Sequence, residues 1–196
     1  MTKIEDQHYI TKIIQGDTNA FAVLVDRYKD LVFTLAFKML KNRDDAEEVS
    51  QDTFIKTFKS LQKFKGESKF STWIYKITYN TCLDELKKKK KEQNVVSINE
   101  FTEHQVKTME NALAAIEDQE RKQAIQDCLS LLPSDDSFLL NLFYFEDLSL
   151  NDIAQVMGIT SNNVKIKLHR SRKRLASIFK EKLEPEIITY YESERR

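Results

Sequence analysis

LNDIAQVMGITSNNVKIKLHRSRKRL, from Leu150 to Leu175, reads as two helices crossing at a tight turn, with the positive charge gathered on the second. Ser149 opens a short apolar helix bearing Ile153 and Ala154; Gly158 falls four residues after Ala154, and Val164 six after that. A close crossing of two helices needs a small residue at the approach, a glycine free to turn left-handed and a branched apolar residue that locks the second helix. Ala154, Gly158 and Val164 are those residues, in that order. Between Lys165 and Lys182 eight Lys and Arg residues stand against Glu181 alone, and eight minus one gives plus seven. A helix so charged supplies the salt-sensitive attraction to nucleic-acid phosphates. Side chains at its front reach base edges in a major groove, so Asn162, Asn163, Lys165, Ile166 and His169 are the candidate readers, with Lys167 beside them. Arg170, Arg172, Lys173 and Arg174 are placed to hold phosphates. An ordinary helical hairpin with a basic solvated face is the competing explanation; spacing and charge together weigh against it.

The rest of the chain fits a helical protein. Three Gly and two Pro in 196 residues leave few of the turn-makers that punctuate all-β folds. Lys plus Arg and Asp plus Glu both number 31, so the formal net charge is zero, but the charge is unevenly spread. Asp44, Asp45, Glu47, Glu48 and Asp52 form an acidic block, and Lys87 to Lys91 is an unbroken lysine run. Cys82 and Cys128 stand apart from each other and away from zinc spacing with any histidine, which marks them as buried thiols of a reducing compartment. The first residues lack the basic start and apolar stretch of a signal peptide, and no apolar run reaches membrane-spanning length; a cytoplasmic protein is expected. No nucleotide-loop, zinc-protease or hydrolase motif occurs, and Asp44–Asp45 and Asp135–Asp136 sit at helix starts or turns, where capping explains them. No catalytic residue, metal site or cofactor is expected.

Apolar residues recurring at steps of three and four, Phe21, Leu24, Val25, Tyr28, Leu31, Val32, Leu35 and Met39, predict one amphipathic helix over residues 17–41, capped by Asp17 or Thr18. A second helix begins near Asn42 to Asp45 and reaches about Leu61, its apolar face drawn as Ala46, Val49, Phe54, Ile55 and Phe58. A polar loop from Phe64 to Phe70 leads into a third helix capped by Ser71 and ended by the lysines. Glu92 to His104 reads as linker, and a thin apolar stripe allows a short helix over 106–120. A second domain starts near Glu120, with Ala124, Ile125, Cys128 and Leu129 on one helix, Pro133 in a turn and Phe138 to Phe145 on the next. The fold class is therefore all-α: two small helical domains joined by a flexible linker, the C-terminal one a helix-turn-helix.

Two stretches stay open on the residues alone. The acidic helix is either a solvated face that complements its own dipole, the reading that charge alone favours, or a docking surface for a basic partner. The stretch from Phe64 to Lys91 either packs a core or binds single-stranded DNA, with rings for unstacked bases and lysines for the backbone.

DDAEEVSQDTFIKTFKSL at 44–61, FKGESKFSTWIYKITYNTCLDELKKKKK at 64–91 and the segment from Leu132 through the helix-turn-helix resemble bacterial sigma factors of the extracytoplasmic-function group. The likeness spans about residues 10–182 apart from the linker. It implies a transcription initiation factor that binds core RNA polymerase, directs it to promoters and helps open the DNA. By that resemblance residues 10–91 form region 2, 92–119 a linker and 120–182 region 4, followed by an unassigned tail, 183–196. Polymerase docking falls on Asp44, Asp45, Glu48, Gln51 and Asp52. The minus-10 reader falls on Phe64, Lys65, Gly66, Ser68 and Phe70 of the loop, with Trp73, Lys76, Asn80, Asp84, Lys87 and Lys88 of the helix, where the group captures a flipped base. The helix-turn-helix falls on the minus-35 duplex; Asn162 and Asn163 stand where Gly-Thr is usual. An anti-sigma protein is an implied partner. The rivals are a stand-alone helix-turn-helix regulator with a ligand-sensing or dimerising N-terminal bundle, and a decoy that binds polymerase without DNA.

Overall fold

The computed structural model describes residues 3–90 and 127–193, with side chains over 6–89 and 127–179. Every regular element among the described residues is helical. The expected linker 92–119, the short helix at 106–120 and the contributions of Ala124 and Ile125 lie outside them.

The first unit holds α1 (Lys3–Ile14), α2 (Phe21–Leu40), α3 (Arg43–Ser60) and α4 (Phe70–Lys90). α2 presents Leu24, Tyr28, Val32, Leu35, Ala36 and Met39 to the core, the stripe its periodicity predicts. It is entered through a 3-10 turn at Thr18–Ala20, and Asp17 makes no side-chain capping bond, so the expected cap is absent. It ends at Lys41, left-handed at φ 57°, whose N–H donates to the Phe37 carbonyl at 2.8 Å. Asn42 then caps α3, its Oδ1 accepting from the Asp45 N–H at 3.1 Å.

α3 corrects the expected apolar face. Its buried stripe is Ala46, Val49, Thr53 and Thr57, small side chains that let it lie close to α2 and α4, while Ile55 and Phe58 are 50% and 41% exposed. Phe58 stays at the rim, edge-on to Phe21 with ring centroids 5.0 Å apart. α4 begins one residue before Ser71, which lies inside the helix instead of capping it; the Trp73 N–H donates to the Lys69 carbonyl at 3.2 Å. The reason is Phe70, drawn to 2% exposure against Tyr28 and Phe64. The sequence pattern missed α1. It is tied down by buried Asp6, which accepts from Tyr28 Oη at 2.7 Å and from Arg27 at 2.5 Å.

In the second unit a helical end over 127–131 precedes α5 (Ser134–Tyr144), α6 (Leu150–Met157) and α7 (Ser161–Ser193). α5 is buried at every position from Asp136 to Leu142. A helix covered all round is a central helix, and α5 touches α2, α6 and α7, while α6 also meets α4. α7 continues past 182, so much of the expected tail extends the same helix.

Candidate nucleic-acid and partner interfaces

The local chemistry of α6 and α7 builds the predicted crossing. Ser149 caps α6, accepting from the Asp152 N–H at 3.1 Å and donating its hydroxyl to the Asp152 carboxylate at 2.6 Å. Gly158 ends it at φ 67°, its N–H donating to the Ala154 carbonyl. That conformation costs a side-chain-bearing residue more than it costs glycine. The Ile159 N–H reaches the same carbonyl at 3.1 Å, and Thr160 Oγ1 accepts from the Asn163 N–H at 3.2 Å to start α7. Ser161 donates to Asn151 at 2.6 Å, tying the front of α7 to α6. Val164 and Leu168 lock α7 inward.

The basic side chains of α7 divide between two faces. Asn162, Asn163, Lys165, Ile166, His169 and Arg170 point to solvent. Lys167 instead pairs with Asp135 at 3.0 Å, Arg174 pairs with the buried carboxylate of Asp136, and the Arg172 guanidinium lies 5.4 Å from the ring centroids of both Phe143 and Tyr144. Lys173 is half-buried. In this structure Lys167, Arg172 and Arg174 thus bind the recognition helix to α5. Asp135 and Asp136 are likewise ion-pair partners. The N-terminal position of α5 falls to Pro133, which makes no side-chain cap.

In the first unit the acidic row of α3 lies open at Asp44, Glu48, Gln51 and Asp52, whereas Asp45 pairs with Lys89 of α4. Lys88 pairs with Glu85 at 3.0 Å and feels the negative charges of Glu48 and Asp52 nearby, which help raise its pKa, although the Glu85 hydrogen bond dominates. Lys87 stands 3.8 Å from Asp84. The lysine run and the acidic row therefore adjoin, because the end of α4 lies beside the start of α3.

The loop before α4 is less open in its aromatics than its sequence implies. Phe64, Phe70 and Trp73 form one cluster with centroid separations of 5.2 to 5.7 Å, and Phe70 is a core residue. Lys65 is exposed, Gly66 turns at φ 71°, and Ser68 is half-buried with its hydroxyl donating to the Lys69 carbonyl at 3.2 Å. Along α4, half-buried Trp73 and exposed Lys76, Asn80, Asp84 and Lys87 recur at three- and four-residue steps, so they share one face; Lys88 flanks it. Cys82 and Cys128 are buried thiols, and burial pushes Cys82 up to about 12.

The described residues thus carry an acidic row on α3, an aromatic-backed polar face on α4 and a helix-turn-helix with an outward basic edge. Residues 24–92 match the model of sigma-70 region 2, and residues 122–175 match that of sigma-70 region 4. The chain is 32% identical over 172 residues to the ECF RNA polymerase sigma factor SigW of Bacillus subtilis, covering 85% of this chain and 92% of that one. It is 31% identical to the ECF RNA polymerase sigma-E factor of Haemophilus influenzae, covering 88% and 94%. The fold resembles that of RpoE from Bartonella quintana, solved with the anti-sigma factor NepR, at a TM-score of 0.63 and 21% identity over 82% of this chain and 96% of that one. The protein belongs to the ECF sigma factors of the sigma-70 family, which direct RNA polymerase to promoters in transcription initiation.

Proposed function

We propose that residues 10–91 dock on core polymerase and read the minus-10 element, that 120–182 read the minus-35 duplex, and that 92–119 connect them. Docking falls on the open acidic row of α3, Asp44, Glu48, Gln51 and Asp52, with Asp45 at its edge. The minus-10 strand meets Lys65, Gly66 and Ser68 and then the α4 face of Trp73, Lys76, Asn80, Asp84, Lys87 and Lys88, with Phe64 and Phe70 holding that surface from behind. The minus-35 duplex meets Asn162, Asn163, Lys165, Ile166, His169, Arg170 and Lys173. Melting is driven by binding: unstacking a base costs a few kcal/mol, which stacking on Trp73 and hydrogen bonds from the α4 face offset. The protein supplies no catalytic step of its own and acts in the cytoplasm. An anti-sigma protein is its proposed regulator, supported by the complex in which the similarly folded RpoE was solved.

The observation that carries this reading is the alignment of exposed polar side chains along one face of α4, backed by a packed aromatic cluster. Asp44→Lys combined with Asp52→Lys is expected to abolish co-elution with core polymerase while leaving duplex binding intact. Unchanged co-elution would remove α3 from the docking surface.

A further inference from the structure

α1 lies ahead of residue 24, where the match to region 2 begins, and no proposed contact with polymerase or DNA falls on it. It is nevertheless firmly held. Asp6, Ile10 and Ile13 recur at four- and three-residue steps and are buried, so they form its inner face. The Asp6 carboxylate accepts from Tyr28 Oη at 2.7 Å and from Arg27 at 2.5 Å, and the Arg27 guanidinium lies 5.7 Å from the ring centroid of Tyr9. A buried carboxylate deprived of these partners would carry an uncompensated charge, so they fix α1 in place against α2.

The helix anchored in this way backs the loop that leads into α4. α1 packs on the turn Leu61–Lys63 and on α4, which flank that loop on either side. Tyr28, whose hydroxyl Asp6 holds, lies edge-on to Phe70 with ring centroids 5.4 Å apart, and Phe70 joins the cluster with Phe64 and Trp73. One residue on from Asp6, Gln7 stands on the flank of α1 and is exposed. Its Oε1 lies 3.7 Å from the point that a Cβ would occupy on Gly66. Gly66 turns at φ 71° and has no side chain to cover the amide, so a ligand can approach the loop backbone and the Gln7 amide together. A carboxamide presents donors beside an acceptor and pairs with a base edge in two hydrogen bonds, as Gln does with adenine. Extruding a base from the stack frees its Watson–Crick edge for such a contact.

We propose that Gln7 is a further reader of the melted strand, its amide hydrogen-bonding the edge of an unstacked base that lies beside Gly66. The proposal rests on the loop and the α4 face being the minus-10 reader, and Asn80→Ala separates the two claims. Holoenzyme reconstituted from core polymerase and the full chain is used to select from a pool of single-stranded DNA of random sequence, and the bound strands are sequenced. Gln7→Ala, a change at an exposed position, is expected to leave the urea midpoint unchanged and to weaken base preference at one position about fivefold, the equivalent of one hydrogen bond. Asn80→Ala is expected to weaken preference at a different position. If the Gln7→Ala profile superimposes on that of wild type while the Asn80→Ala profile changes, the proposal is overturned and the minus-10 reading stands. If both superimpose on wild type, both fall. A loss spread evenly over all positions would make Gln7 a support of the loop and would also overturn its role as a reader.

Discussion

α4 and α7, the two helices assigned to DNA, use their charges differently. α4 turns a polar face outward at Lys76, Asn80, Asp84 and Lys87, and buries tyrosines and small polar residues behind it. α7 has the larger positive charge, yet Lys167, Arg172 and Arg174 are engaged with α5 through Asp135, Asp136 and the rings of Phe143 and Tyr144. The net charge of a helix is thus a poor measure of what it offers a phosphate. Part of the basic stretch is the means by which a small three-helix unit holds its recognition helix in place.

That contrast is most easily broken at Arg174. Asp136 is buried, so Arg174→Met leaves a carboxylate without its cation, and urea unfolding of the C-terminal unit is expected to show a loss of about 3 kcal/mol. Arg170→Met, at an exposed position on the same helix, is expected to stay within about 0.5 kcal/mol of wild type. Equal losses would erase the division between faces. For duplex binding the ranking reverses. Lys165→Ala with Arg170→Ala is expected to flatten the salt dependence by about two phosphate contacts, whereas Arg172→Ala leaves the slope unchanged and lowers the urea midpoint.

On α4, Asn80→Ala is expected to reduce promoter opening, read by permanganate reactivity of melted thymines, by about fivefold, the equivalent of one hydrogen bond. Closed-complex affinity should not change; an equal loss in both would make Asn80 a duplex contact. The smallest expected effect is at Glu146, whose burial raises its carboxyl pKa even though the Tyr75 hydrogen bond opposes the shift. A raised carboxyl contributes stability that is complete below the ordinary glutamate range and is lost as pH rises through the folded-state value. Glu146→Gln should remove that acid-side gain, so its urea midpoint varies less than that of wild type between about pH 4 and pH 7.

What the sequence made legible was local. The crossing of α6 and α7 draws on residues within one short stretch, where Ser149 caps α6, Gly158 turns left-handed and Val164 is buried, as their spacing predicts. The family-level resemblance likewise rested on contiguous blocks. What stayed hidden was carried by distant partners or by residues that periodicity discounts. Arg174 meets Asp136 across 38 positions, and Tyr79 meets Asp135 across 56. Thr53 and Thr57 bury the inner face of α3 although their hydroxyls make them look like surface residues, which displaces Ile55 and Phe58 outward. α1 went unread because it is fastened by a buried aspartate reaching Arg27 and Tyr28 on another helix. Phe70 stays open in the sequence between core and loop because nothing near it announces Tyr28, the ring it packs against.

The central claim, that the α4 face and the outer face of α7 act on one promoter within polymerase, is tested most directly by run-off transcription. Core polymerase is combined with genomic promoter fragments and with wild type, Asn80→Ala or Lys165→Ala/Arg170→Ala protein. Transcripts that require the wild-type chain, share upstream sequences and fall with either variant are the predicted result. Duplex binding without any dependent transcript would contradict it, leaving a helix-turn-helix that binds DNA on its own.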